Sequence, residues 1–445
     1  MGKNMSHKQR SIGLSIQDFA NRRFNIIEEK STLKTELLAG MTSFISVSYI
    51  IAVNASVLST TGMNHAAVTV ATVFSSVIGC LLMAFLANSP LIITPGMGDN
   101  AFFAFTLVGA FGLTSPQALT VVLVVGILFT LIAASKIAPK LASAIPRTLV
   151  SGMSVAIGFF IMFLGLKDGG IIVGNEGTLV ALGKLNDPLP LTTLVSLIIA
   201  LILFERKVPA NFLLSIVAGT LVGIATGIVD LSEISSFSLS LTPFANGIAQ
   251  FDFSQMLSPN FWIAVFALLM MVLFQNLGSQ LSMLPDRTKL PKAYLANGIS
   301  VLTASVMGCN STCTSAEGAT GVAAGGKTGL TSLTAGLLFI PALFILPILS
   351  LIPMSAISPI LIIVGVSMVQ GNIKKIPFED FSDAFPALFT VIMTVLTFNI
   401  ADGIAFGFIS YTLLKIVKNE TKELTGMTIL LSILFFAYFI LNYMV

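Results

Sequence analysis

The sequence predicts an all-α polytopic membrane protein, and three observations carry that prediction. Of its 445 residues 55% are hydrophobic and 10% charged, with a mean hydropathy of +0.95, a balance foreign to soluble globular chains. Its apolar runs have about the ~20-residue length of a helical span rather than the roughly ten-residue alternation of barrel strands. Finally, two polar, Gly-rich stretches break these runs at matching places: residues 94–105 (TPGMGDNAFFAF) and 307–330 (MGCNSTCTSAEGATGVAAGGKTGL).

In chain order, residues 1–34 are polar and basic, and too interrupted for a signal peptide. They read as a cytoplasmic segment in which 12–27 forms a short interfacial helix; the myristoylation pattern at Gly2 and Ser6 is read as a chance match. Apolar segments follow at 36–58, 68–88, 91–110, 117–135, 148–166, 190–204 and 210–229, then at 260–284, 293–308, 309–326, 330–350, 355–371, 384–400 and 403–418. These make about fourteen spans, and a unit of seven repeated once must be inverted in the membrane, as in many secondary transporters. The first repeat is thus 35–230, the second 260–420, with an extracellular loop at 231–259 and a C-terminal apolar segment at 421–445 that either spans or lies against the bundle. The loops holding Arg147, Lys207, Arg287, Lys292, Lys327, Lys374, Lys375 and Lys422 fall on one side, whereas the 231–259 loop has no Lys or Arg. The positive-inside rule then puts the N-terminus in the cytoplasm of a multi-pass cell-membrane protein.

The interrupted segments are the third and tenth of the series. Irregular backbone at membrane depth persists only where protein or a water-filled cavity satisfies it, and matched interruptions in the two halves point to a binding site. Half-helices there would aim their positive dipole ends at the midplane from opposite directions. Glu317 is the lone acid of the tenth segment, and an ionised side chain at that depth costs roughly 2.5–3.5 kcal/mol even on lenient scales. Asp99 and Asn100 stand in the third. A further wall is residues 274–280 (FQNLGSQ) of the eighth span, where Gln275 and Ser279 share a helix face and Asn276 lies beside them.

Other features are excluded as sites. Residues 321–328 (GVAAGGKT) satisfy the P-loop pattern, but a nucleotide loop follows a buried strand in a soluble α/β domain, whereas membrane segments flank this one. Lys327 instead marks the cytoplasmic end of a half-helix. Cys80, Cys309 and Cys313 form neither a disulfide framework nor a zinc pattern. Trp262 and the tyrosines read as interface anchors or packing. No nucleophile, base and orienting group converge, so the chain is not expected to be an enzyme, to bind a metal or cofactor, or to take nucleic acid as a partner.

Over about residues 35–443 the chain resembles the AzgA-like purine permeases of the nucleobase/ascorbate transporter superfamily. The matching stretches are 36–63, 94–105, 145–170, 308–330 and 383–411, the last with DAFP and ADGIAFGFISY. The resemblance implies fourteen spans split into core and gate domains, a strand plus half-helix at the third and tenth positions, and proton-coupled import of adenine, guanine or hypoxanthine. It implies that the base sits between the third, eighth and tenth segments. Glu317 would accept its ring N–H groups, Gln275 and Ser279 would take the eighth-span polar positions, and Asn100 with Ala101 would form the third-segment strand whose backbone faces the substrate. A homodimer is open.

Two departures from the family pattern matter. Where the family shows F-D-T-x-G-T, this chain has Phe274, Gln275, Asn276, Leu277, Gly278 and Ser279, and in P-G-M-G-L-N-A the Leu is Asp99. Gln275 cannot titrate, so proton coupling rests on Glu317 or Asp99. The alternative is a transporter of the same fold for another small polar solute: a xanthine, urate, pyrimidine or anion.

Overall fold

The computed structural model describes residues 18, 20–135, 146–175, 177–229, 242–345 and 351–440. The myristoylation pattern and the start of the 12–27 segment lie outside them; residues 20–24 are helical, and Phe24 and Ile26 pack against Ala84 and Leu330.

The first half runs through α1 (Leu33–Val47), α2 (Ile50–Ser59) and α3 (His65–Ala87) into strand β1 (Ile93–Pro95). Then come α4 (Met97–Ala101), which continues as a wide-turned π-helix over Phe102–Ala110, α5 (Ser115–Ala134), α6 (Arg147–Asp168), a hairpin of β2 (Ile172–Asn175) and β3 (Leu179–Leu182), α7 (Pro188–Glu205) and α8 (Asn211–Ala225). A short α9 (Thr242–Gly247) precedes the second half: α10 (Pro259–Met283), α11 (Leu290–Val306), β4 (Thr312–Thr314), α12 (Ala319–Ala323), α13 (Gly329–Phe339), α14 (Met354–Asn372), α15 (Phe381–Leu396), α16 (Ile400–Val417) and α17 (Gly426–Phe439). Among the described residues, eight helical stretches are long and apolar enough to cross a membrane, α1 with α2 counting as one of 27 residues.

Helix starts follow local chemistry. Thr114 and Gln117 form a capping box ahead of α5, Asn64 caps α3, and Ser258 followed by Pro259 opens α10. Outward faces are apolar: Ile198, Leu201 and Ile202 on α7, Val217 and Leu221 on α8, and Ile433 and Phe436 on α17 are all exposed, as suits a lipid surround. Helices α6 and α14 pack backbone to backbone through Gly158 and Gly365; a Cβ on Gly158 would stand 2.7 Å from the Gly365 carbonyl oxygen.

The expectation of an all-helical chain is corrected by the β2–β3 hairpin, which pairs Ile172 with Leu182 and Asn175 with Leu179. The Asn175 side chain closes its turn by accepting from the backbone N–H of Gly177 (2.9 Å) and Thr178 (3.0 Å). This short loop between segments carried no alternating pattern long enough to be noticed.

The P-loop-like stretch is filled from within. Glu36, fully buried on α1, accepts from the backbone N–H of Lys327 (3.1 Å) and Thr328 (3.2 Å) and from the Thr331 hydroxyl (2.6 Å). An internal carboxylate thus occupies the donors that a phosphate would need, at the N-terminus of α13. Nearby, Lys289 pairs with Glu29 (2.6 Å), tying the start of the chain to the α10–α11 connection.

A second ionic cluster gathers the ends of α6, α15 and α16. Buried Lys415 meets Asp383 (3.0 Å), Glu420 (3.0 Å) and Glu423 (2.8 Å), and the Thr148 hydroxyl donates to Asp383. Around it, half-exposed Lys418 bridges Asp380 (2.7 Å) and Glu420 (2.9 Å). Lys418, with donors from Ser382, holds the Asp380 carboxyl well below the usual carboxylate range; Lys418 and then Lys415 lower Glu420.

Two outcomes follow. Glu36→Ala leaves the buried Thr328 N–H and the part-buried Lys327 N–H unpaired, at about 1–3 kcal/mol for a buried group, so its melting temperature in detergent falls clearly below wild type. Groups whose folded pKa is depressed stabilise above their unfolded value, about pH 4, and lose that contribution as pH falls through the folded value. The difference in melting temperature between wild type and Lys418→Met is therefore present at pH 7 and disappears on acidification.

Candidate functional site

The two interrupted segments meet. Strands β1 and β4 pair antiparallel, Ile93 with Thr314, Thr94 with Cys313 and Pro95 with Thr312, and all six residues are buried. A two-stranded sheet of three residues a side leaves outer backbone groups without ladder partners, and at this depth water cannot supply them. Side chains of α10 and α11 do so instead. Asn276 accepts from the Thr314 N–H (2.7 Å), and Asn297 donates to the Thr312 carbonyl (3.2 Å). Gln280 donates to the Thr314 hydroxyl (3.0 Å), which in turn donates to Asn297 (2.9 Å).

Asn100 and Ala101, expected in the third-segment strand, lie instead in α4. Pro95 has no N–H to continue the ladder, extended Gly96 caps the helix, and the Asn100 N–H already donates to the Gly96 carbonyl (2.9 Å). Their backbone is therefore spent on the helix. The Asn100 side chain is buried, with its amide 3.8 Å from the Met97 sulfur.

Glu317 sits just past β4, half-buried. The Tyr49 hydroxyl donates to Oε1 (2.7 Å) and the Ser315 hydroxyl to Oε2 (2.7 Å). Each carboxylate oxygen thus holds one donor, and a carboxylate has about four acceptor positions, so capacity for two further N–H groups remains. Tyr49 comes from the break between α1 and α2 and packs its ring on Phe212 of α8 at 5.0 Å. Its reading as anchor or packing is corrected: its hydroxyl fixes the candidate acid. Nothing local in the sequence flags Tyr49, whereas Ser315 lay within the polar stretch and could have been singled out.

Asp99 is 1% exposed, in the first turn of α4. It lies against the Cys313 thiol and Ser311, and a Cβ on Gly96 would collide with its Oδ2, so only glycine fits there. Gln275 reaches the same thiol and also lines a small recess of about 30 Å³ formed by Val150, Met153, Ser154 and Ile157 of α6, Met271 and Phe274 of α10, and Met368 of α14. In this conformation it is far smaller than the roughly 300–1,000 Å³ of small-molecule sites, but its apolar walls with a single amide are the usual lining of one. The first turn of α4 borders it, since a Cβ on Gly98 would stand 3.0 Å from Ile157 and 3.8 Å from Gln275 Oε1.

The structure thus gathers Glu317, Gln275 and Asp99 around Cys313. It places Asn276 in the scaffold under β4. Ser279 is half-buried one turn beyond Gln275, and the recess takes Gln275 and Phe274 in its lining but not Ser279.

A pair of interrupted segments meeting inside a shell of apolar helices is the architecture of a multi-pass membrane protein. The profile of the Permease family matches residues 34–437, and the chain belongs to that family. The guanine/hypoxanthine permease PbuO of Bacillus subtilis is 34% identical, the alignment covering 93% of this chain and 98% of that one. The adenine permease AdeP of Escherichia coli is 32% identical over 97% of this chain and 98% of its own. Among solved structures, the transmembrane domain of the cyanobacterial bicarbonate transporter BicA has the same fold, with a TM-score of 0.62 at 18% identity, covering 83% of this chain and 97% of that one.

A scaffold role for Asn276 has a direct consequence. Asn276→Ala leaves the buried Thr314 N–H unpaired and costs about 1–3 kcal/mol, read as a lower melting temperature. A variant with unchanged melting but weakened substrate binding would instead place Asn276 in contact with the substrate.

Proposed function

We propose that the chain is a secondary active transporter that imports purine nucleobases of the guanine, hypoxanthine and adenine class by proton symport. The observation that carries this reading is Glu317, held by Tyr49 and Ser315 with acceptor positions to spare, next to the Gln275-lined recess. A purine presents N–H donors on an edge and an apolar face on each side. Glu317 accepts from the edge, Gln275 offers both a donor and an acceptor, and the methionines and Phe274 cover the faces. The relatives named as guanine/hypoxanthine and adenine permeases support the same substrate class.

In this reading the fourteen segments form two inverted repeats, 35–230 and 260–420, joined by an extracellular loop at 231–259. The β1–α4 and β4–α12 segments belong to a core domain, and α6 and α14 to a gate domain across the recess. The N-terminal residues 1–34 and the Lys415 cluster face the cytoplasm of a cell-membrane protein, the C-terminal apolar segment 421–445 either spans or lies against the bundle, and a homodimer through the gate domain is compatible with its exposed apolar faces. Rocking of gate against core exposes the base to alternate sides. One proton charge crossing ~100 mV supplies about 2.3 kcal/mol, enough to concentrate a neutral base roughly fifty-fold.

The test is uptake of labelled hypoxanthine, adenine and guanine by cells lacking their own purine permeases, with and without a protonophore. Wild type gives saturable uptake that the protonophore abolishes. Glu317→Gln removes the charged acceptor, and a hydrogen bond to a charged group is worth about 1.5–3 kcal/mol, so apparent affinity drops at least tenfold. Unaltered uptake by Glu317→Gln would exclude the assignment.

A further inference from the structure

The junction holds two carboxylates, and their surroundings are opposite. Glu317 has a hydroxyl donor on each oxygen. Asp99 is deeper, at 1% exposure, and neither of its oxygens holds a well-formed hydrogen bond, the polar groups against it being only the Ser311 hydroxyl and the Cys313 thiol. No ion pair among the described residues reaches it. Two other atoms of this junction are also buried and unpartnered, Gln275 Oε1 and Ser311 Oγ.

The elements packed around Asp99 supply no countercharge. From β4 comes the Cys313 thiol, and beyond it the titratable groups are Glu317 and, through Glu317, Tyr49. Across Gly98, α6 contributes Ile157 and α10 contributes Gln275, neither of which titrates. An ionised carboxylate without donor or cation is costly to bury, whereas the protonated acid is neutral and becomes a donor. A proton on Asp99 also brings an O–H donor into a junction where Gln275 Oε1 is buried without one.

We propose that Asp99 is the carrier of the coupling proton and that Glu317 serves as the substrate's acceptor rather than as the proton carrier. This rests on the reading of the chain as a purine importer. One proton from the external side binds a carboxylate oxygen of Asp99, crosses as the neutral acid, and leaves to cytoplasmic water, restoring the carboxylate. The first turn of α4 meets α6 at Ile157, so movement between these two elements changes the access of Asp99 to water. The lost acid at position 275 and the gained one at 99 are then one relocation, because both side chains approach the same thiol.

The experiment uses the purified full-length chain in liposomes and measures two transport modes with labelled hypoxanthine. Counterflow needs only loaded carriers to turn over, whereas accumulation under an imposed gradient, acidic outside by one pH unit, needs the proton to move and reaches roughly tenfold for one proton per base. Asp99→Asn fixes the neutral form, so accumulation falls to the equilibrium ratio while saturable counterflow persists; Asp99→Glu restores accumulation with a displaced pH profile. Glu317→Gln loses both modes. Gradient-driven accumulation by Asp99→Asn equal to wild type overturns the proposal, as does wild-type accumulation that follows sodium rather than pH. Should Asp99→Asn fail to fold, an unchanged pH profile in Asp99→Glu overturns it as well. Absence of counterflow with every purine in wild type defeats the importer reading and this inference with it, while counterflow with intact accumulation in Asp99→Asn defeats the inference alone.

Discussion

The pairing of β1 with β4 is the constraint on which the rest of the structure depends. Two short strands crossing at the centre of a helical bundle expose backbone groups to a medium that cannot hydrate them, so every neighbour must supply partners. That requirement explains Asn276, Gln280 and Asn297, three amides that would otherwise be an odd expense inside apolar helices. It also explains the small residues of the two segments. Gly96 admits Asp99 and Cys313 to the same space, and Gly98 brings the first turn of α4 up to the recess. The scaffold and the site are thus built from one set of atoms, with the amides on one side of β4 and the acids on the other.

Much of this was legible in the sequence because polarity at membrane depth is a local signal. A Gly-rich, hydroxyl-rich stretch between apolar runs marks itself, and Glu317 within it marks the position of the acid. What was not legible depended on the third dimension. Tyr49 stands 268 positions from Glu317, inside a run that reads as plain apolar helix, and only the break between α1 and α2 aims its hydroxyl inward. Asn276 looked like a ligand for the same reason that it makes a good scaffold: it is a polar side chain on the inner face of α10. Composition cannot tell which way an amide turns. The end of β1 was misjudged because the roles of Pro95 and Gly96 were not separated, one stopping the ladder and the other opening the helix.

The proposed division of roles between Glu317 and Asp99 rests on hydrogen-bond inventory rather than on depth alone. A carboxylate already supplied with hydroxyl donors gains little from a proton, and one without donors gains much. With the two at a shared thiol, the proposal puts substrate and proton in one junction without having them compete for the same oxygens.

Glu36 carries a further consequence for how the molecule responds to its medium. Its charge is met by backbone N–H groups in a space closed to solvent, whereas Lys418 meets Asp380 and Glu420 where ions can enter. At high ionic strength the Debye length shrinks to about 3 Å at 1 M, which weakens exposed pairs and leaves enclosed ones largely untouched. Concentrated salt therefore loosens the connection between α15 and α16 at its rim while the joint between α1 and α13 holds, so two joints of one bundle differ in their sensitivity to the surrounding electrolyte.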